Sequence, residues 1–82
     1  MNYPVLFEKI EAGDFAPGFY YAHLPTLGLT KHGLGIEGAR AAALDLARLW
    51  IGEKRANGET IPSSSDCLLS TLEIPEDAFQ SA

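Results

Sequence analysis

Two histidines are the side chains of this 82-residue chain that most readily suggest acid–base chemistry. Because histidine titrates near neutral pH, His23 and His32 could pair as a general acid and a general base. His23, however, alternates with Tyr21 and Phe19 in a run with the spacing of a strand. That pattern favours a partly buried histidine that is hydrogen-bonded within a sheet, and we expect His32 to be exposed at a strand end.

Four carboxylates are candidates for a metal-dependent nuclease, which would hold two metal ions about 4 Å apart. Glu37 and Asp45 are eight residues apart on a predicted helix, so they share roughly one face. Glu8 lies on a predicted strand and Asp14 in a predicted turn. Nothing in the sequence places either carboxylate close to those of Glu37 and Asp45. We therefore expect no metal, no cofactor and no enzymatic activity, and keep the nuclease as the alternative.

Length and composition predict a single small globular domain. Hydrophobic residues make up 46% of the chain and charged residues 21%, which is typical of a folded protein. A domain this short buries a modest share of its surface, so self-association is expected. The chain has one cysteine, Cys67, and no apolar run near the roughly 18 residues of a membrane span, and these features predict a cytoplasmic protein without a membrane segment.

The net charge of −5 lies in the last third of the chain. Residues 1–55 contain six basic and six acidic residues, whereas five acidic residues and no basic ones follow. An acidic segment repels phosphate backbones and attracts basic partners. We therefore expect a basic protein partner and no direct binding of nucleic acid.

Hydrophobic periodicity predicts an α+β fold of order β-β-β-α-β. The predicted strands are 2–10, 19–24 and 27–32, forming an antiparallel meander, with Gly33-Leu34-Gly35 as a turn. A helix is predicted over 36–57 with Gly58 as its cap, and a returning strand over 67–74. The domain spans residues 1–75, and 76–82 form a short acidic tail.

The predicted helix has two apolar surfaces. One stripe recurs at three- and four-residue spacing and should face the sheet: Ile36, Ala39, Ala43, Ala47 and Trp50. Ala42, Leu46 and Leu49 extend the apolar surface beyond what one sheet should cover. These three residues predict the interface of a homodimer or a higher homo-oligomer.

An ordered series of short motifs runs through these elements. It comprises Tyr3-Pro4-Val5, Tyr20-Tyr21-Ala22, Leu24-Pro25, Leu27-Gly28-Leu29-Thr30, Gly33, Ala39, Ala43-Leu44-Asp45-Leu46, Asn57-Gly58-Glu59 and Ile61-Pro62. With this series in register over residues 2–62, the chain resembles the HicB antitoxin family. It departs from the family pattern at Thr26, where an acidic residue is usual, and at the helix start, where Gly35 and Gly38 replace stronger capping and helix-forming residues.

The resemblance implies a partial RNase H fold and a role in neutralising HicA, a small basic toxin that cleaves mRNA. Full-length members of the family add a C-terminal DNA-binding region. Seven residues follow Pro75 here, so we expect a stand-alone N-terminal domain without that region.

We therefore predict a non-enzymatic, antitoxin-like protein that covers the active surface of a HicA-like toxin. The predicted partner contacts are Glu8, Asp14, Thr30, Lys31 and His32. The alternatives are an RNase-H-like nuclease and a degenerate orphan domain that has lost its partner.

Overall fold

The computed structural model describes residues 2–11, 13, 17–63 and 70–76. Three strands come first, namely β1 (Leu6–Lys9), β2 (Phe19–Leu24) and β3 (Leu29–Leu34). One 22-residue helix, α1 (Gly35–Ala56), follows them. The strands form one antiparallel sheet in the order β1-β2-β3, so the predicted α+β class, the meander and the long helix are confirmed.

The register of the sheet decides which side chains face the helix. Ala22 of β2 lies opposite Phe7 of β1 and Lys31 of β3. Ala22 is fully buried and Leu24 is nearly so. Because side chains alternate along a strand, the even-numbered residues of β2 face α1 and the odd-numbered ones face the opposite side.

The core is built from small side chains where α1 crosses the sheet. Its buried hydrophobic residues are Ala22, Leu24, Leu27, Ala39 and Ala43. Ala47 and Trp50 pack against this cluster, which confirms most of the helix stripe that the sequence predicted. Ile36 is the exception, because 46% of it is exposed at the first turn.

The junction between β3 and α1 has no separate turn, contrary to the prediction for Gly33-Leu34-Gly35. Strand β3 continues through Leu34, and the helix begins at the next residue. Gly35 turns the chain with a φ of +68°, and its N–H donates to the carbonyl of Gly18 at 2.7 Å. Left-handed backbone of this kind favours glycine. The N-cap residue of the helix, Leu34, makes no side-chain cap hydrogen bond.

Gly33 holds strand and helix in backbone contact. A Cβ atom added to Gly33 would lie 2.4 Å from the carbonyl carbon of Gly38 and 2.6 Å from the nitrogen of Ala39. No side chain fits into that space. Gly33 of β3 and Gly38 of α1 therefore lie where the strand and the helix are in backbone contact.

Three other elements also differ from the sequence prediction. Of the predicted first strand 2–10, residues 2–5 and 10 form no strand, and β1 is Leu6–Lys9. Strand β3 begins at Leu29 and not at residue 27, because the N–H groups of Leu27 and Gly28 donate to the carbonyls of Leu24 and Pro25 at 3.2 and 3.3 Å. Of the predicted strand 67–74, residues 70–74 form no strand, and residues 67–69 lie outside the described part of the chain.

The C-terminus of α1 ends as predicted. Gly58 has a φ of +72°. Its N–H donates to the carbonyl of Arg55 at 3.0 Å, and the N–H of Glu59 donates to the carbonyl of Lys54 at 2.8 Å. This pair of bonds is a Schellman motif. Within the described residues, no helix combines the length and the apolar character needed to cross a membrane.

The contact between Gly33 and Gly38 yields a matched pair of substitutions. Gly33→Ala is expected to destabilise the fold by about 1–3 kcal/mol, because strand and helix must move apart. Gly38→Ala is expected to be neutral or to stabilise by up to about 1 kcal/mol, since its Cβ would meet ordinary contacts of 3.5–3.9 Å in a helix. Urea unfolding measures both values, and equal effects of the two substitutions would contradict the backbone contact.

Candidate functional site

The sheet presents one face that α1 does not cover, here called the outer face. Its side chains come from alternate positions on all three strands: Leu6, Glu8, Phe19, Tyr21, His23, Thr30, His32 and Leu34. They form three cross-strand rows. Leu6, His23 and Thr30 form one row, Glu8, Tyr21 and His32 the next, and Phe19 lies opposite Leu34 at the end.

Hydrogen bonds fix the imidazole of His23 at both ring nitrogens. Nε2 lies 2.9 Å from Oε1 of Glu8, and Nδ1 lies 2.9 Å from Oγ1 of Thr30. An ionised carboxylate only accepts hydrogen bonds, so the neutral ring carries its proton on Nε2 and Nδ1 accepts from the hydroxyl of Thr30. The prediction of a hydrogen-bonded sheet histidine is confirmed.

Aromatic rings flank both histidines of the outer face. The rings of Tyr21 and His23 are 5.6 Å apart, with an interplanar angle of 36°. The rings of Phe19 and His32 are 6.3 Å apart, with an angle of 53°. These tilted contacts lie in the range of favourable aromatic pairs, so the centre of the outer face consists of rings in contact with one another.

Exposed aliphatic side chains lie at opposite corners of the outer face. Leu6 is 44% exposed and Leu34 is 64% exposed. Together with the rings and with Glu8, they make a surface that is apolar, aromatic and hydrogen-bonding at once. That mixture is typical of protein interfaces, in which aromatic anchors lie among polar groups.

The structure brings together three of the five partner contacts that the sequence predicted. Glu8, Thr30 and His32 share the outer face. Lys31 alternates with them and lies on the helix side, in register with Ala22. Asp14 lies outside the described residues. Tyr21 was missed as a contact, although its alternation with His23 already placed the two residues on one face.

The carboxylates proposed for a nuclease do not converge in the described part of the chain. Glu8 is on the outer face, whereas Glu37 and Asp45 are exposed on α1, which packs on the other side of the sheet. Among the described residues, no group of three or more His, Cys, Asp or Glu side chains is placed to hold a metal ion. This arrangement gives the nuclease alternative no support.

The helix also borders a groove that the sequence analysis missed, here called the β1–α1 groove. A cavity of about 290 Å³ is lined by Tyr3 and Val5 of the first strand region and by Arg40, Leu44 and Ala47 of α1, among others. The guanidinium of Arg40 lies 5.1 Å from the ring centre of Phe7. The spacing of Leu44, Ala47 and Ile51 was the available signal, because it repeats every three to four residues.

The predicted oligomer residues lie on the other flank of α1. Ala42 and Leu46 are half-buried, and Leu49 is 67% exposed. Leu44, which is 50% exposed beside the groove, was not singled out. Both flanks of the helix therefore carry exposed apolar side chains.

No known protein family, curated protein or solved structure matches this chain.

The hydrogen bonds of His23 predict one tautomer. Long-range ¹H–¹⁵N correlation spectra of the neutral ring should show the proton on Nε2. Glu8→Ala removes the acceptor and should mix the two tautomers, whereas Glu53→Ala on the helix should leave the spectrum unchanged. A dominant Nδ1–H form in the unmodified protein would contradict this arrangement.

Proposed function

We propose that this chain is an antitoxin-like binding protein that uses its outer face to cover the active surface of a HicA-type, mRNA-cleaving toxin. The observation that carries the proposal is the outer face itself, which combines aromatic and imidazole rings in contact, exposed leucines and a carboxylate on one face of the sheet. Aromatic side chains mixed with polar groups and exposed leucines are typical of surfaces that bind another protein.

The centre of the outer face has the residue types that dominate binding energy in protein interfaces. Tyr21 lies in the middle of the middle strand, between Glu8 and His32. Binding energy concentrates in central aromatic residues surrounded by weaker contacts. Leu6 and Leu34, at opposite corners, would contribute apolar area and exclude water from the centre.

Charge supports a basic partner. The chain carries a net charge of −5, and Glu8 places a carboxylate on the outer face, with its side chain 62% exposed. A toxin that binds mRNA needs basic residues to hold phosphates. Complementary charge would raise the association rate and would bring the acidic chain to that same surface.

The proposed mechanism is occlusion and contains no chemical step. The outer face would occupy the surface on which the toxin binds mRNA, so that substrate and antitoxin exclude each other. Since mRNA is the substrate, we propose the cytoplasm as the site of action.

Affinity measurements with a purified HicA-type toxin test the proposal. Tyr21→Ala and His32→Ala are each expected to weaken binding roughly tenfold or more, as central interface residues do. Glu53→Ala, on the exposed side of α1, should leave the affinity unchanged. Isothermal titration calorimetry gives the dissociation constants, and an mRNA-cleavage assay reports neutralisation.

The antitoxin proposal fails if the unmodified chain neither binds such a toxin nor protects mRNA from it. Equal losses from Glu53→Ala and Tyr21→Ala would place the binding surface elsewhere on the molecule.

A further inference from the structure

We propose that proton uptake by His23 and His32 releases a basic partner from the outer face, because it reverses the sign of the charge on that face. The inference rests on the proposed function, since it concerns the regulation of the same surface. It goes beyond that function by naming the two side chains that decide at which pH the surface holds a cationic group.

The outer face has four titratable side chains, namely Glu8, Tyr21, His23 and His32. Both histidines of the chain are among them. Between pH 5 and 8 a histidine changes its charge, whereas a carboxylate stays ionised and a tyrosine stays neutral. One carboxylate contributes −1 and two protonated imidazoles add +2, so the charge of this face changes from −1 to +1 on protonation.

The lysines and arginines of the chain lie elsewhere in the fold. Lys9 is in register with Tyr20 and Lys31 with Ala22, and these two positions of β2 face α1. The others belong to α1, which packs on that same side of the sheet: Arg40, Arg48, Lys54 and Arg55. Strand alternation therefore leaves no lysine or arginine among the outer-face positions, and the imidazoles decide the sign of the charge there.

His23 neutralises Glu8 when its ring takes up a proton. Nε2 lies 2.9 Å from Oε1 of Glu8, and this contact becomes an ion pair once the ring is charged. The side chains of Glu8 and His23 are 62% and 30% exposed, so both are accessible to a partner. The hydroxyl of Thr30 suits both charge states, because it donates to a neutral Nδ1 and accepts from a protonated one. Protonation therefore changes the charge of the face and leaves its hydrogen-bonded pairs in place.

His32 adds the second positive charge on the far side of Tyr21. It is exposed and in register with Tyr21, which is itself in register with Glu8. Two strand spacings separate His32 from Glu8 by about 10 Å, close to the screening length of about 8 Å at physiological ionic strength. A protonated His32 therefore repels a basic group that binds at Glu8.

Protonation and partner binding oppose each other, and the opposition is reciprocal. If protons on His23 and His32 weaken binding, a bound basic partner must lower the pH at which both rings take up protons. The chain thus holds its partner at neutral and alkaline pH and releases it in mild acid.

Calorimetric titration with a purified HicA-type toxin at about pH 8 and about pH 5.5 tests this inference. We expect the dissociation constant to be roughly tenfold or more higher at the lower pH. Because glutamine stays neutral, the double variant His23→Gln and His32→Gln should lose most of this rise, although its affinity at the higher pH also falls. The control, Glu53→Ala on α1, should keep the full rise. Circular dichroism checks that each variant keeps its helix at both pH values.

A short arginine peptide separates this inference from the antitoxin proposal. In amide spectra of the free ¹⁵N-labelled chain, adding the peptide should shift Glu8 and His23 at about pH 8 and leave them unchanged at about pH 5.5. That result, with a toxin that binds at neither pH, would overturn the antitoxin proposal and support proton-controlled release of a basic ligand.

Three results would overturn the inference itself. The first is equal toxin affinity at the two pH values, and the second is a double variant that keeps the full rise in dissociation constant. The third, with a toxin that does not bind, is a peptide that shifts Glu8 and His23 equally at both pH values or at neither.

Discussion

The contact between the backbones of Gly33 and Gly38 is the constraint on which this architecture depends. Strand β3 passes directly into α1, so the first turns of the helix must lie against the strand that precedes them. This is possible because Gly33 has no side chain at the crossing, where an added Cβ would be 2.4 Å from the carbonyl carbon of Gly38. Close contact then lets Ala39 and Ala43, with very short side chains, complete a core over Ala22.

The same constraint divides the molecule into surfaces with different chemistry. With α1 held over β2 and β3, the odd-numbered side chains of β2 are left on the outer face, where Glu8, His23 and Thr30 hydrogen-bond across three strands. On the helix side, α1 leaves a groove beside β1. One surface is thus rich in rings, while the other is a strand edge with an apolar floor. We propose that the first surface binds a basic partner.

Much of the fold could be predicted from the sequence, because period-two alternation and a proline-free run of helix formers are local signals. Alternation placed His23 with Tyr21, and the stripe of Ala39, Ala43 and Ala47 identified the buried side of α1. The junction was predicted wrongly because Gly33 and Gly35 look like a turn in sequence. Gly33 is required by a contact that only the folded chain contains, and Gly35 by a positive φ at the start of the helix.

The candidate site was predicted only in part, because the sequence does not show which strands pair or in which register. Glu8, Thr30 and His32 were named, but the hydrogen bonds that join Glu8 and Thr30 through His23 depend on the register of two strand pairs. The groove went unnoticed because helical periodicity alone does not show that α1 crosses β2 and β3 and leaves β1 beside it. Lys31 was grouped with Thr30 and His32 by sequence proximity, yet strand alternation places it on the helix side.

The most direct test of this account is a map of the surface that the toxin covers. Backbone amide spectra of the ¹⁵N-labelled chain, recorded with and without a HicA-type toxin, report that surface residue by residue. The account predicts that shifts and line broadening concentrate on Tyr21, His23, Thr30 and His32, while Glu37 and Asp45 on the helix are unchanged. Changes confined to α1, or none at saturating toxin, would contradict it.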